Sequence, residues 1–178
     1  MLRLETPRLI LRPPRAADAA AIQAIAALAA VADMTAAIPH PYPPGSARQF
    51  IASLQRPAAE GRDYHVSIER RADAVVMGMA GLFPDPAAPN GQIGYYLGPS
   101  FWGEGYATEA AGRLTRYAFE NLGVDCLVAH VFTGNAASMR VLAKLGYRPA
   151  GETERDLPAR GGLRRIALFE LRREAALR

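Results

Sequence analysis

The spacing of hydrophobic positions along the chain predicts four helices. Apolar residues three and four positions apart indicate an Ala-rich helix within residues 16–37, which Asp18 is placed to cap. Its buried face would comprise Ile22, Ile25, Ala29 and Ala32. The same spacing predicts further helices at residues 46–54, 108–121 and 141–145. Gly123 and Gly146 stand where the last two would end.

Short apolar runs bounded by Gly, Pro and polar residues predict the strands of one sheet. They cover residues 9–11, 65–68, 75–83, 92–97 and 126–131, with a last pair around 149–151 and 165–169. The run at 126–131 is nearly all apolar, which is typical of a strand buried on both faces. No repeat or linker interrupts these elements, so we expect a single α/β (α+β) domain over residues 1–178.

Composition narrows the class of protein. The 178 residues are 50% hydrophobic, which is enough for one domain with its own core and argues against a disordered chain. The net charge of +4 comes from basic residues that are spread along the chain rather than gathered in a patch, which argues against nucleic-acid binding. The single cysteine, Cys126, allows neither an intrachain disulfide nor a C-x-x-C metal site, and no metal is expected.

Two segments bear on the location of the protein. Residues 16–37 are interrupted by Asp18 and Asp33 and therefore do not predict a membrane-spanning helix. The first residues carry Glu5 and Pro7 where a secretory signal would carry an apolar run. We therefore expect a cytoplasmic protein with no membrane partner.

The segment most informative about chemistry lies between the strand at 92–97 and the helix at 108–121, and it reads FWGEGYATEA over residues 101–110. Small residues there leave backbone N–H groups uncovered at a helix N-terminus, which suits a phosphate or a pyrophosphate; a plain turn has the same composition. A P-loop is excluded because Lys144, the single Lys, lies elsewhere. A dinucleotide-binding turn is disfavoured because Thr108 occupies its third small position.

The same segment resembles motif A of the GNAT N-acetyltransferases, whose pattern Gln/Arg-x-x-Gly-x-Gly/Ala binds the pyrophosphate of acetyl-CoA. Gly105 and Ala107 match the small positions of that pattern, while Trp102 stands where the family has Gln or Arg. The resemblance implies that acetyl-CoA is bound mainly by backbone N–H groups of this turn.

Three stretches are similar to the ribosomal-protein N-acetyltransferase (RimJ/RimL) branch of that family. They are residues 102–110, the run LETPRLILR at 4–12, and the segment from Asn135 and Ser138 to the Leu-Gly-Tyr at 145–147. The similarity covers essentially the whole chain. It implies a GNAT-like fold, in which a mixed, mostly antiparallel central sheet is flanked by helices and splayed at the acetyl-CoA site.

The resemblance also implies which residues bind acetyl-CoA. Tyr95, Tyr96 and Leu97 would present backbone groups to the pantetheine arm, and an N–H of Tyr96 or Leu97 would polarise the thioester carbonyl. The pyrophosphate would be held by the turn residues Trp102, Gly103, Glu104, Gly105, Tyr106, Ala107 and Thr108. Asn135 would cap the short helix and contact the cofactor, with Ser138 beside it.

Two side chains are candidates for proton transfer. By resemblance, Ser138 would face the cofactor sulfur and serve the departing thiolate, because Leu142 stands where many family members have a Tyr; a surface Ser is the alternative. His130 lies where some peptide N-acetyltransferases carry a catalytic Glu, and a neutral imidazole suits a general base near pH 7; a hydrogen-bonded core histidine is the alternative. Gln92 replaces the Glu common in this branch, and an amide is not a base.

The acceptor site would be built from loops and from the edge of the predicted hairpin. Candidates are His40 and Tyr42 in the Pro-rich loop 38–45, Tyr64 and His65 at the hairpin edge, and the loop 156–162. The implied reaction is direct acetyl transfer from acetyl-CoA to a primary amine, of a protein N-terminus or a small molecule, in a ternary complex. A CoA-binding module without catalysis is the alternative. We expect a monomer or a homodimer.

Overall fold

The computed structural model describes residues 2–54 and 63–176. Its strands are β1 (Leu4–Glu5), β2 (Leu9–Arg12), β3 (Tyr64–Arg70), β4 (Val76–Pro84), β5 (Asn90–Leu97), β6 (Cys126–Phe132), β7 (Arg148–Leu157) and β8 (Gly162–Arg172). Its helices are α1 (Ala19–Ala26), α2 (Ala29–Ala32), α3 (Ser46–Ser53), α4 (Tyr106–Asn121), α5 (Ala136–Lys144) and α6 (Arg173–Ala176). Short 3-10 helices occur at Ala16–Asp18, Pro99–Phe101 and Pro158–Arg160.

The strands of the described residues form one sheet in the order β1-β2-β3-β4-β5-β6-β8-β7. β5 and β6 are parallel, and every other neighbouring pair is antiparallel. The connection between the parallel strands runs through α4, which supplies the long crossover that two parallel strands require. The predicted mixed, mostly antiparallel sheet flanked by helices is confirmed.

Helices pack on both faces of this sheet. The face covered by α4 and α5, called the α4 face below, is packed with Ala110, Ala111, Leu114, Ala118, Phe119 and Leu142. The face covered by α1 and α3, called the α1 face, has a smaller core of Ile22, Ala47, Ile51, Val76 and Met79. Successive side chains of a strand point to opposite faces, so neighbouring residues of one strand belong to different sides of the molecule.

β5 and β6 separate part-way along their length. The ladder between them contains the pairs Asn90–Cys126, Gly91–Leu127 and Gln92–Val128. Beyond Gln92, β5 continues to Leu97 alongside β4, while β6 continues to Phe132 alongside β8. The sheet is therefore splayed between residues 93–97 and 129–132. This space, called the gap below, lies where the resemblance predicts it.

The predicted helix over residues 16–37 is wrong in its extent. It is divided into a 3-10 helix, α1 and α2, and the break between α1 and α2 lies at Leu28, whose backbone is extended with φ −75° and ψ 125°. Ile22 and Ala32 are buried as predicted, but Ala29, on the far side of this break, is exposed.

The other helices agree with the sequence pattern. α4 begins at Tyr106, two residues before its predicted start. Gly123 and Gly146 have φ of +65° and +87° just beyond α4 and α5, the left-handed conformation that ends many helices. Within residues 2–54 and 63–176, no helix has both the length and the apolar character that crossing a bilayer requires.

Asp18 makes no side-chain cap to α1, contrary to the prediction. Its carboxylate instead accepts hydrogen bonds from both terminal nitrogens of Arg12, at 2.7 and 2.9 Å, and from Ser67 Oγ at 2.9 Å. The Nε of Arg12 donates to Glu69 at 2.7 Å. This buried network joins the segment before α1 to β2 and β3, and it occupies the carboxylate that the sequence pattern assigned to a cap.

β6 is buried on one face rather than on both, so this prediction is also wrong. Leu127, Ala129 and Val131 belong to the core of the α4 face. The residues between them, Cys126, Val128, His130 and Phe132, are only half-buried and point to the α1 face. The strand residues in the core of the α1 face come from β4, so the side chains of β6 on this face are not covered by that core.

Candidate active site

The turn that leads into α4 presents backbone groups rather than side chains. Gly103 and Gly105 have φ of +82° and +81°, in the left-handed region that favours glycine. A Cβ added at Gly103 would meet no atom within 4 Å, so the backbone borders open space. The turn ends at the N-terminus of the 16-residue α4, whose dipole favours an anion. Glu104 is exposed, and Ala107 and Thr108 are half-buried in the first turn of α4.

Arg8 holds this turn from the side. Its Nη1 donates to the carbonyl of Glu104 at 3.0 Å, and its guanidinium lies over the ring of Tyr106, 4.5 Å from the centroid. The backbone N–H and Nε of Arg8 donate to Glu109 at 2.9 and 2.6 Å, and Thr6 Oγ1 donates to the same carboxylate at 2.6 Å. This role of Thr6 and Arg8 was not predicted from the sequence, although both residues belong to the run at 4–12 that resembles the RimJ/RimL branch.

Trp102 links the turn to the end of β5. Its indole Nε1 donates to the carbonyl of Leu97 at 2.8 Å. The N–H of Gly98 donates to Met77 on β4, so the alternation of backbone groups along a strand turns those of Leu97 toward the gap and those of Tyr96 toward β4. Of the two predicted donors to the thioester carbonyl, Leu97 is therefore the one whose N–H faces the gap.

Asn135, Ser138 and Tyr95 meet on the α4 face. Asn135 Oδ1 accepts the N–H of Ser138 at 3.0 Å, which confirms the predicted cap of α5. Ser138 Oγ lies 3.0 Å from the Oη of Tyr95, which comes from the gap-bordering end of β5. Burial raises the pKa of Tyr95 to about 12, and the bond to Ser138 opposes this rise only in part. The phenol therefore keeps its proton at neutral pH, a feature that the sequence analysis missed because it considered only the backbone of Tyr95.

His130 lies on the α1 face of β6, two residues beyond the last residue that pairs with β5. Its Nδ1 is buried and has no hydrogen-bond partner among the residues that the structure describes. Burial lowers the pKa of His130, and the positive charge of Arg155 lowers it further. The imidazole is therefore neutral at pH 7, with one nitrogen free to accept a proton.

The two predicted catalytic residues thus stand on opposite faces of the sheet. Ser138 adjoins the gap from the α4 face through Tyr95, whereas His130 adjoins it from the α1 face. A molecule in the gap would have a hydroxyl pair on one side and a neutral imidazole on the other.

The structure does not bring Tyr64 and His65 together. The ring of Tyr64 packs against Tyr117 of α4, with 6.2 Å between centroids. The ring of His65 lies on the α1 face between Phe50 and Phe83, at 5.4 and 5.1 Å. Burial lowers the pKa of His65, in spite of an opposing effect of a nearby aspartate. Because neighbouring residues of β3 point to opposite faces, the side chains of Tyr64 and His65 lie on different sides of the sheet.

The other two predicted substrate residues lie in the loop before α3. Tyr42 is half-buried and packs against the core of the α1 face, as Tyr96 does. His40 is exposed. Tyr42 and His65 are therefore on the side of the sheet that carries His130, and their contact with a substrate stays a prediction.

Comparison with known proteins identifies the family to which this sequence and its site belong. The sequence matches the acetyltransferase (GNAT) domain over residues 8–148, a range that includes Arg8, the glycine turn, both gap strands and α5. The chain belongs to the GNAT acetyltransferase family. The predicted N-acetyltransferase class is thereby confirmed at the level of the family.

Individual relatives agree with this assignment. The GNAT chain is 34% identical to the uncharacterized N-acetyltransferase YoaA of Bacillus subtilis (strain 168) over 110 residues, which are 60% of this chain and 62% of YoaA. It is 30% identical to the uncharacterized N-acetyltransferase p20 of Bacillus licheniformis over 126 residues, 70% of this chain and 71% of p20. The structure of Mycobacterium smegmatis RimJ in complex with CoA-disulfide is 26% identical, with a TM-score of 0.81, and the match covers 93% of this chain and 82% of that one. The last similarity is consistent with the RimJ/RimL branch.

Proposed function

We propose that this GNAT domain transfers an acetyl group from acetyl-CoA to a primary amine, of a protein N-terminus or a small molecule, in a ternary complex. The observation that carries the proposal is the gap between β5 and β6, which opens beside the glycine turn of α4. It is bordered by a hydroxyl pair on one face and a neutral imidazole on the other. The similarity to RimJ, whose structure holds a CoA-disulfide, supports the donor.

The residues around the gap fit acetyl-CoA. The open backbone at Gly103 and the N-terminus of α4 suit its pyrophosphate, and Asn135 stands where α5 begins. Acetyl-CoA would supply an activated thioester. The N–H of Leu97, which faces the gap, would stabilise negative charge on the carbonyl oxygen.

His130 would act as the general base from the α1 face. An ammonium has no lone pair, so an amine must lose a proton before it reacts. The lowered pKa of His130 keeps its imidazole ready to accept that proton at neutral pH. Gln92 of β5 lies on the same face of the sheet as His130, but its side chain is an amide and cannot act as a base.

Ser138 and Tyr95 would serve the other half of the reaction. The Ser138 hydroxyl would give a proton to the departing thiolate, and the Tyr95 phenol, 3.0 Å away, would replace it. The cycle would close when the Tyr95 phenolate regains a proton from solvent and His130 loses to solvent the proton it took from the amine. The acceptor would approach from the α1 face, opposite this pair. Its amine would attack the thioester directly, so no acyl-enzyme would form. Cys126 lies at the paired end of β6, away from the gap.

Acetyl-CoA binding is the first test. Saturating acetyl-CoA should raise the melting temperature, because a ligand at 100 times its Kd stabilises the native state by about 2.7 kcal/mol. The Gly105→Val variant should lose this shift, since φ is +81° and Arg8 Nη2 would lie 3.4 Å from the new Cβ. An unchanged melting temperature of the parent protein would contradict the proposal.

Release of CoA with a panel of primary amines is the second test. His130→Gln should lower turnover by about 100-fold or more while the Kd for acetyl-CoA stays unchanged, because general-base catalysis contributes about that factor. Cys126→Ser, on the same face of β6, is the matched control and should retain full turnover. Acetyl-CoA binding without turnover of any amine would support the CoA-binding module instead.

A further inference from the structure

We propose that the acceptor is a primary amine that also carries a carboxylate or a phosphate, and that Arg155 and Arg164 bind this anionic group. The proposal rests on the proposed acetyltransferase function and names the class of its second substrate. It is carried by a cavity on the α1 face and by the distribution of charge along the β7–β8 hairpin.

The cavity has a volume of about 560 Å³ and lies at the end of β6. Its wall includes Asp33, Phe132, Gly134, Arg160, Arg164 and Arg165. Phe132 is two residues beyond His130 on the same face of β6, so the cavity continues the side of the gap on which the proposed base lies. Within the described part of the chain Arg164 forms no ion pair with a carboxylate, so it gives this wall a cation that favours an anion.

Arg155 of β7 and Arg164 of β8 are directly opposite each other in the hairpin. They share a face with Ile166, which pairs with Phe132 of β6, and this is the face that carries the cavity. Like charges in opposite positions of two strands destabilise their pairing. In the described ranges, neither arginine forms an ion pair with a carboxylate.

The acids of β7 lie on the other face of the hairpin from Arg155. Glu154 is opposite Arg165, and Arg165 forms an ion pair with Glu152. Asp156 is opposite Leu163. These carboxylates alternate with Arg155 along β7 and therefore lie on the opposite face from it. Glu170 shares the face of Arg164 but lies at the far end of β8, where it forms an ion pair with Arg172. Arg155 and Arg164 are thus the charged pair of the hairpin nearest the cavity on the side of His130.

Arg160 gives the cavity a fixed wall. This residue is buried, and its guanidinium donates to the carbonyls of Thr35, at 3.0 Å, and Ile38 in the loop after α2. The guanidinium of Arg164 donates to the carbonyl of Arg160, which holds it beside the cavity. A cationic group held in place before binding loses less entropy when a ligand arrives.

This arrangement selects among amines. Guanidinium groups bind carboxylates and phosphates through paired, charge-assisted hydrogen bonds, and the bound anion would offset the repulsion between Arg155 and Arg164. Polyamines and aminoglycosides carry additional cations, which would meet the same repulsion. The acceptor pocket thus favours an amine that bears an anionic group.

Matched pairs of acceptors test the proposal. β-Alanine is compared with β-alaninamide, and O-phosphoethanolamine with ethanolamine, at equal concentrations of free amine, with spermidine as the cationic acceptor. The kcat/KM of the anionic member should exceed that of its neutral partner by about tenfold or more, as expected for one charge-assisted contact. The carboxylate and phosphate arms show which anion is preferred.

Single variants assign the preference to the arginines. Arg155→Gln and Arg164→Gln should each bring the ratio between anionic and neutral acceptors toward one, while the KM for acetyl-CoA stays unchanged. These assays are run at a pH where His130 is neutral, because Arg155 influences the pKa of that residue. Arg172→Gln, at the other end of β8, is the matched control and should leave the ratio as it is.

Several outcomes would overturn the proposal. A preference for neutral or cationic acceptors, or an unchanged ratio in Arg164→Gln, would do so while leaving the acetyltransferase function intact. A raised KM for acetyl-CoA in Arg164→Gln would assign the arginines to the donor. If acetyl-CoA binds but no amine is acetylated, calorimetry of β-alanine and O-phosphoethanolamine with CoA present decides, and binding that is absent or independent of Arg164 overturns the proposal. Failure of acetyl-CoA itself to bind would instead contradict the proposed function.

Discussion

Tyr95 and Ser138 share a hydrogen bond of 3.0 Å although 43 residues separate them in the chain. Leu142 of α5 occupies the position where many family members have a Tyr. In this chain the phenol near Ser138 comes instead from Tyr95 of β5. The buried environment keeps Tyr95 protonated, so the pair retains a proton for a leaving group.

We predict that Tyr95→Phe and Ser138→Ala each lower kcat by about tenfold, with little change in the KM for acetyl-CoA, because each removes one step of a shared proton path. The double variant should be no worse than Ser138→Ala alone, since coupled residues are not additive. Tyr117→Phe, which removes a hydroxyl of α4 from the ring that packs against Tyr64, should keep the kcat of the parent protein. Steady-state kinetics of the four variants decide the matter, and an unimpaired Tyr95→Phe would exclude the phenol from the reaction.

At the scale of elements, the segment between β1 and β2 is bound to the first turn of α4. Burial by itself would raise the pKa of Glu109, but hydrogen bonds from Thr6 and Arg8 lower it, so the carboxylate remains charged. The charged Glu109 anchors Arg8, and Arg8 in turn holds the carbonyl of Glu104 in the glycine turn. The shape of the turn therefore depends on a segment about 100 residues earlier in the chain.

We predict that Arg8→Gln raises the KM for acetyl-CoA by about tenfold and leaves kcat nearly unchanged. The physical reason is that the variant removes the charge-assisted bond to the mostly buried Glu109 and the bond to the carbonyl of Glu104, which together position the turn. Arg3→Gln, in the same segment, loses only an exposed ion pair with Glu5 and is the control. Acetyl-CoA titrations followed by calorimetry measure the change, and equal affinities of the two variants would refute the positioning role.

At the scale of the whole molecule, the network around Arg12 joins the α1 layer to the sheet. Burial by itself would raise the pKa of Asp18, but hydrogen bonds from Arg12, the Arg15 N–H and Ser67 lower it below its usual value. The stability that ionised Asp18 contributes is present above its unfolded pKa of about 3.9 and is lost as the pH falls through the lower folded value.

We predict that Asp18→Asn lowers the free energy of unfolding by about 3–5 kcal/mol at pH 7, because it leaves the buried Arg12 with one of its two carboxylates. Asp73→Asn, which breaks an exposed ion pair with Arg70, should leave the free energy of unfolding nearly unchanged. Urea denaturation measures both. The difference between Asp18→Asn and the parent should shrink at acid pH, and a difference that persists there would contradict the ionic origin of the effect.

Hydrophobic spacing along the sequence was sufficient to predict the positions of most elements, and the small residues between β5 and α4 were sufficient to predict the glycine turn. It located α4 to within two residues, and it placed Gly123 and Gly146 at the ends of their helices, because the period of burial and glycine's freedom at positive φ are local properties. Hydrophobic spacing did not predict the break between α1 and α2 at Leu28, because the apolar pattern continues through this residue although its backbone is extended.

Sequence by itself therefore determined the family, the order of the main elements and the position of the glycine turn. Only the tertiary structure decided which side chains meet. The pairing of Tyr95 with Ser138, the bond from Arg8 to Glu109 across 101 residues and the opposition of Arg155 and Arg164 all follow from strand register and helix packing. Register is set by the summed packing of the whole sheet, and a single segment of sequence does not contain that information.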